Sequence, residues 1–352
     1  MFDLKTLTAP ILLAPMAGGF NTPALAAAVA NAGGVGSFGF AYTSAEDITQ
    51  TLDATARLTS GALNANFFVF PKVSPPSAER VDDAIAALGA LPLAADALRT
   101  DPPSAPYSPD LAAQLEPIWQ HRPSLLTFHF GLPEPRILDK AKGLGISVGV
   151  TATCLAEAQA IAAAGADFVV AQGWEAGGHR GQFASTEIDT QRSVLALVSS
   201  LTQTLGIPVV AAGGLMNGTD IANALTAGAT AVQLGTAFLI CDEAGTSVAH
   251  RLFLQQEKQR ETVYTTAFSG RPARGLRNVF IDAMSDQPTL AFPLQNTLTG
   301  ALRRWASQVG DMEYQSVWAG AKVSAIRSMP AAMLVQTLLS ELSLELREAD
   351  SP

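Results

Sequence analysis

Phe168-Val-Val-Ala-Gln-Gly-Trp-Glu-Ala-Gly-Gly-His-Arg-Gly181 contains the unit from which the fold is read. Phe168-Val-Val-Ala171 is short and wholly apolar, with no polar alternation. Such a run suits a strand of a parallel sheet covered on both faces. A loop follows Gln172. Within it, Gly177 and Gly178 let the backbone turn tightly and approach a ligand. His179 comes next, four residues after Glu175. An imidazole on a strand-end loop is a candidate general base or an electrostatic partner for a cofactor.

The same unit recurs on both sides. Residues 11–16, 35–38, 66–70, 125–130, 146–151, 208–212 and 231–235 are predicted strands, and residues 168–172 complete the set. Ala-rich helical stretches separate them, at 22–32, 110–121, 135–143, 155–164, 191–205 and 219–227. A further helix opens at Ser44, where Ser-Ala-Glu-Asp47 fits a capping box. About eight such repeats in roughly 230 residues is what a closed barrel requires, and the even spacing favours it over an open doubly wound sheet. The expectation is an α/β fold, a TIM-like (β/α)8 barrel over residues 1–240.

Residues 71–109 break the rhythm with Pro75-Pro76 and Pro102-Pro103 around a helix at 77–88. This insertion follows the third strand, on the side where barrel active sites lie. It is either a lid or a surface excursion. After residue 240 the pattern changes to longer helices, at 244–261, 298–308 and 329–345, joined by residues 269–278. Residues 241–352 therefore read as a smaller, mainly helical C-terminal domain, capping the barrel or packing back on it.

Composition narrows the function. The chain has 352 residues, 48% hydrophobic and 15% charged, with a net charge of −9. That charge excludes a general nucleic-acid binder, whose footprint would be basic. An anionic cofactor remains compatible, because backbone N–H groups can hold phosphates. Two cysteines, Cys154 and Cys241, make no disulfide framework and suit a reducing compartment. The N-terminus lacks a basic leader and no apolar run reaches the ~18 residues of a membrane span, so a cytoplasmic protein is expected. Nor does any His, Asp or Glu constellation have metal-ligand spacing.

Among the motifs, Gly34-Val-Gly36-Ser-Phe-Gly39 matches a dinucleotide fingerprint in letters only. A helix precedes it and a strand runs through it, so close helix–strand packing is the better reading. Ala14-Pro-Met-Ala-Gly-Gly19 ends the first strand. Ala211-Ala-Gly-Gly214 and Gln233-Leu-Gly-Thr236 end the last two, where many barrels build a phosphate site. His129 ends the fourth strand, facing the same site or bonded in the barrel wall. His121 and His250 lie on helices and read as ordinary. Arg271, Arg274 and Arg277 either hold an anionic substrate or close a lid, or serve as surface or inter-subunit charges. Trp305, Tyr314 and Trp318 read as packing the tail on the barrel.

These residues carry a resemblance. Ala14–Gly19, Phe128-His-Phe-Gly-Leu-Pro133, Ala171–Gly181, Ala211–Gly214, Gln233–Thr236, Phe268-Ser-Gly-Arg-Pro-Ala-Arg-Gly275 and Gln315-Ser-Val-Trp-Ala-Gly320 resemble the nitronate monooxygenases, formerly 2-nitropropane dioxygenases. The likeness runs nearly end to end. It implies non-covalently bound FMN. It also implies oxidation of alkyl nitronates, such as propionate 3-nitronate, by O2 to a carbonyl compound and nitrite. By matching positions, Asn66, Gln172, Gly177, Gly214, Gln233, Leu234, Gly235 and Thr236 would contact FMN. Met16 would lie by the flavin ring, His179 would be catalytic, and His129 is a candidate substrate residue. His179 would take the α-proton of a neutral nitroalkane or stabilise a bound anion as imidazolium. One departure stands out: Ala321-Lys322 replaces the Gln-Gly common in relatives. FMN-dependent NAD(P)H reductases of enoyl thioesters or quinones share a similar Glu-Ala-Gly-Gly-His loop and form the alternative. The His-Arg-Gly and Ser-Gly-Arg-Pro-Ala-Arg segments lean toward the monooxygenase.

Overall fold

The computed structural model describes the chain apart from residues 94–96, 99–101, 185–188, 258 and 350–352. Parts of the Pro-rich insertion and of the helix expected at 244–261 thus lie outside the described residues. In chain order the strands are β1 (Ile11–Leu13), β2 (Gly36–Gly39), β3 (Leu63–Phe68), β4 (Leu125–His129), β5 (Ser147–Ala152), β6 (Phe168–Gln172), the two-residue β7 (Gly178–His179), β8 (Val209–Ala212), β9 (Ala231–Leu234), β10 (Thr262–Thr265) and β11 (Ala273–Leu276).

Eight of them form one parallel sheet in the order β1-β9-β8-β6-β5-β4-β3-β2. A bridge between Leu12 and Val35 brings the two ends together, with Leu13 N–H donating to Val35 O at 2.9 Å. The fold is the expected TIM-like barrel. Alternate residues face inward. Leu12, Phe168, Val170, Val210 and Ala231 cluster inside, and Phe2 and Leu4 of the N-terminal segment pack against them. The opposite parity, including Leu13, Phe67, Val148, Val169 and Val209, packs on the surrounding helices.

The helix N-termini follow their sequence signals. Ser44 caps Ala45–Ala56, accepting from Asp47 N–H at 3.1 Å, while its hydroxyl donates to the Asp47 carboxylate. The Gly34–Gly39 segment is indeed a packing device: a Cβ on Gly39 would lie 2.7 Å from Ala17 N. One strand differs from expectation, starting at Leu63 rather than at residue 66. Asn64 and Asn66 disfavour a strand by propensity, but both are buried in a polar ladder inside the barrel. Asn66 Nδ2 donates to Thr127 Oγ1 at 2.9 Å, Thr127 donates to Asn64 Oδ1 at 3.0 Å, and Asn64 Nδ2 donates to Ser37 Oγ at 3.3 Å.

The C-terminal region is less helical than expected. The helix foreseen at 244–261 is shorter, Val248–Gln256, and β10 follows it. The helix foreseen at 298–308 is two helices, Leu294–Leu298 and Gly300–Val309. The connection at 269–278 contains β11, which pairs with β10 on one side and β7 on the other. Thr262-Val-Tyr-Thr265 is a strong β-forming run, and its partner lies in the next segment of chain. Helix Ala78–Gly89 of the insertion buries Ala84, Ala87 and Leu88 in one cluster with Phe268, Phe280, Leu294, Leu298 and Leu302. The insertion and the C-terminal region therefore share a core. The last helix, Ala331–Ala349, returns to the barrel and packs on Gly218–Thr226 and Pro23–Asn31.

Candidate active site

A cavity of about 590 Å³ opens at the C-terminal ends of the barrel strands. The residues that the resemblance assigned to the site all line it: Met16, Asn66, His129, Gln172, Gly177, His179, Gly214, Gln233, Leu234, Gly235 and Thr236. Two groups of donors and one base give it its character.

The first donor group lies at the ends of β8 and β9. Gly213 and Gly214 adopt φ of 122° and 66°, a region that favours glycine, and a Cβ on Gly214 would lie 2.7 Å from Glu175 Cβ. The N–H groups of Gly213, Gly214, Gly235 and Thr236 have no hydrogen-bond partner among the described residues. Thr236 Oγ1 accepts from Gly320 N–H at 2.9 Å, which leaves its own hydrogen to donate. Lys322, also lining the cavity, pairs with Asp220 at the start of helix Gly218–Thr226. Free N–H groups beside a helix start can hold an anion.

The loop after β6 is held on every side. Gln172 Nε2 donates to His179 O at 2.9 Å, and its Oε1 accepts from Gly181 N–H at 2.7 Å. His129 Nε2 lies 3.2 Å from the same His179 O, so that nitrogen carries the proton. His129 is thus both in the cavity wall and bonded to the loop. Buried Arg180 donates to Gln172 O at 2.6 Å and makes a bidentate pair with Asp189 at 2.6 and 2.9 Å. Burial alone would raise the Asp189 pKa, but Arg180 and the Gln191 N–H outweigh it and hold the carboxyl below its usual range. Glu157, buried at the start of helix Leu155–Ala163, accepts from Thr153 N–H and Oγ1, Phe183 N–H and Ala184 N–H.

Glu175 and Gly177 serve the framework. Glu175 does not reach His179; its carboxylate accepts from Val194 N–H at 3.0 Å and caps helix Val194–Thr202. A Cβ on Gly177 would lie 2.5 Å from the Ala319 carbonyl carbon, so this glycine admits the 318–320 segment.

His179 lies on β7 among aromatic rings, with centroids at 5.5 Å for Trp318, 5.8 Å for Phe292, 5.9 Å for Phe130 and 6.3 Å for Phe68. Its Nε2 is buried and has no hydrogen-bond partner. Burial, then His129, Arg271 and Arg303, push its pKa down to about 3. The residue lines the cavity, and the imidazole is neutral at pH 7. His129 is driven to about 3 by burial and by Arg271 and Arg180, against the raising effect of its bond to His179.

Several lining residues escaped the sequence reading. Trp318 is part of the site as well as of the packing, contacting both His179 and Phe268. His250 lines the cavity with a buried, unpartnered Nε2. Gly300, Arg303, Arg304 and Ser307 face the cavity from one helix, at the three- and four-residue spacing that was the available signal. The noticed arginines are elsewhere. Arg271 donates to Arg180 O and Gln182 O, Arg274 to Trp174 O and Thr262, and Arg277 pairs with Asp282 at the surface. Among the described residues, no Asp or Glu lines the cavity and no cluster could hold a metal ion. No helix there is long and apolar enough to cross a membrane. Arg303, Arg304 and Lys322 give the cavity a cationic lining within an acidic protein.

Known proteins resemble this chain in sequence and shape. The sequence model of the nitronate monooxygenase family matches residues 2–341. A nitronate monooxygenase of Paraburkholderia phytofirmans is 38% identical over 99% of this chain and 96% of its own length. One from Pseudomonas aeruginosa is 40% identical over 95% of this chain and 96% of its own. The crystal structure of a nitroalkane oxidase from Streptomyces ansochromogenes superposes with a TM-score of 0.90 at 36% identity, covering 99% of each chain.

Proposed function

The chain belongs to the nitronate monooxygenase family, and from that premise we propose that it binds FMN at the barrel mouth and oxidises alkyl nitronates with O2 to a carbonyl compound and nitrite. Nitronate monooxygenases are flavin enzymes, and this chain is an oxidoreductase of that family. The observation that carries the finer reading is one cavity without carboxylates, holding unpartnered N–H groups at one place and a neutral, unpartnered histidine at another.

The residues fit FMN. Gly213, Gly214, Gly235 and Thr236 offer N–H groups to its phosphate, with Lys322 close by. Asn66, Gln172 and Gln233 line the cavity wall and would face the isoalloxazine, and Met16 would supply an apolar contact. When bound, FMN supplies the redox chemistry, taking reducing equivalents from the nitronate and passing them to O2. The protein's own part is binding, orientation and one proton.

A nitronate arrives already deprotonated and needs no base. A neutral nitroalkane must lose its α-proton, and His179 takes it on a ring nitrogen. Burial and neighbouring cations favour the neutral form that can accept, which argues against a standing imidazolium. The nitronate that results is an anion beside the new imidazolium, and that pairing offsets the cost of charging it. Gln172 and His129 position the base through its carbonyl. Phe68, Phe130, Phe292 and Trp318 keep water from it.

Anaerobic mixing of the FMN-loaded protein tests this. Propionate 3-nitronate should bleach the flavin absorbance rapidly, and NADH should not. Rapid bleaching by NADH with none by the nitronate would transfer the protein to the reductase reading. Failure to take up FMN at all would remove the flavin assignment.

A further inference from the structure

Helix Gly300–Val309 has two faces. Leu302 and Ala306 are buried in the cap's apolar cluster, while Gly300, Arg303, Arg304 and Ser307 face the cavity. Arg303 is the unusual member. Its Nη2 donates to Asn296 O at 2.7 Å and Asn296 Oδ1 at 3.0 Å, both neutral groups. Its Nε is sealed from solvent without a partner. Among the described residues no carboxylate pairs with it. Arg180 has Asp189 and Arg327 has Glu341; Arg271 and Arg274, like Arg303, bond to neutral groups, but neither lines the cavity, and each donates through its Nε where Arg303 does not. A desolvated cation whose charge no protein anion balances is costly unless a ligand balances it.

We propose that Arg303 is a specificity-determining residue that pairs with a second anionic group, a carboxylate, on the tail of the nitronate substrate. The inference rests on the reading of the cavity as a nitronate site. The phosphate of the cofactor already has its donors at the ends of β8 and β9. Arg303 lines the same cavity as His179, and no hydrogen bond joins the two among the described residues. An anion meeting Arg303 is therefore displaced from the carbon that His179 serves, which suits a tail group. The planar guanidinium matches a carboxylate better than a point charge would. Arg304, exposed at the same helix face, adds charge along the way in.

The test compares two nitronates of similar length, propionate 3-nitronate and propyl-1-nitronate, in wild type, Arg303→Met and Arg303→Lys. Arg303→Met should raise KM for the carboxylated substrate by roughly 10- to 100-fold, the worth of a charge-assisted hydrogen bond. The KM for propyl-1-nitronate should rise at least tenfold less, and Arg303→Lys should fall between. A second measurement does not need turnover: quenching of tryptophan fluorescence by 3-nitropropionate against 1-nitropropane, with selective loss of 3-nitropropionate binding in Arg303→Met. Equal losses for both ligands would assign Arg303 to the nitro group itself and overturn the proposal, as would no loss for either. If wild type oxidises neither nitronate, the functional reading falls, and the binding measurement alone then decides the carboxylate site.

Discussion

His179 is defined by what surrounds it. Glycines bring the chain into β7, Gln172 and His129 grip its carbonyl, and aromatic rings enclose its free nitrogen. His179→Asn should keep FMN bound while lowering kcat/KM for neutral nitroalkanes by roughly 10²- to 10⁴-fold, the usual worth of a positioned base. Nitronates, already deprotonated, should lose much less. Because the free enzyme holds His179 at about 3, the wild-type kcat/KM profile with a nitroalkane should show no His179 inflection between about pH 5 and 9. An inflection near pH 6.5 that vanishes in His179→Asn would contradict that. The histidine and its glycines were legible in the sequence. The neutral state was not, because it depends on burial among residues from distant segments, and then on His129, Arg271 and Arg303.

The loop after β6 is the element on which the site depends, and it is held from outside itself. Glu157 accepts four hydrogen bonds, two of them from the N–H groups of Phe183 and Ala184. Glu157→Ala would leave the buried Thr153 donors and the partly buried Phe183 and Ala184 N–H groups without this partner. The expected loss is about 3 kcal/mol of stability, read from denaturant titration, together with weaker FMN binding as the loop loosens. A change under about 0.5 kcal/mol would show that the loop does not rely on this carboxylate. Glu157 lies in an ordinary helical stretch, and nothing in its spacing announced this role. Glu175 drew attention by standing four residues before His179, yet it caps a helix. Strand ends and helix starts were readable because they are local. β10 and β11 were passed over because each is stabilised by a partner strand from another segment.

At the scale of the molecule, burial of three histidines couples stability to pH. Unfolded, each titrates near 6.5; folded, His129 and His179 lie at about 3 and His250 at about 4. Between those values the unfolded chain holds more protons. Stability is therefore full above about pH 6.5 and falls as the pH drops toward the folded values, by up to about 1.4 kcal/mol per pH unit for each histidine. Guanidinium midpoints at pH 7.5 and 5.0 should differ accordingly, and equal midpoints would contradict the burial of these rings. By itself the sequence determined the repeating strand–helix unit, the closed barrel and the glycine-rich strand ends, all set by short-range periodicity and backbone freedom. Only the tertiary structure decided which cations face the cavity, that no carboxylate does among the described residues, and that the insertion and the C-terminal region share a core. Charge balance and desolvation depend on neighbours brought together by folding, and sequence spacing does not reveal them.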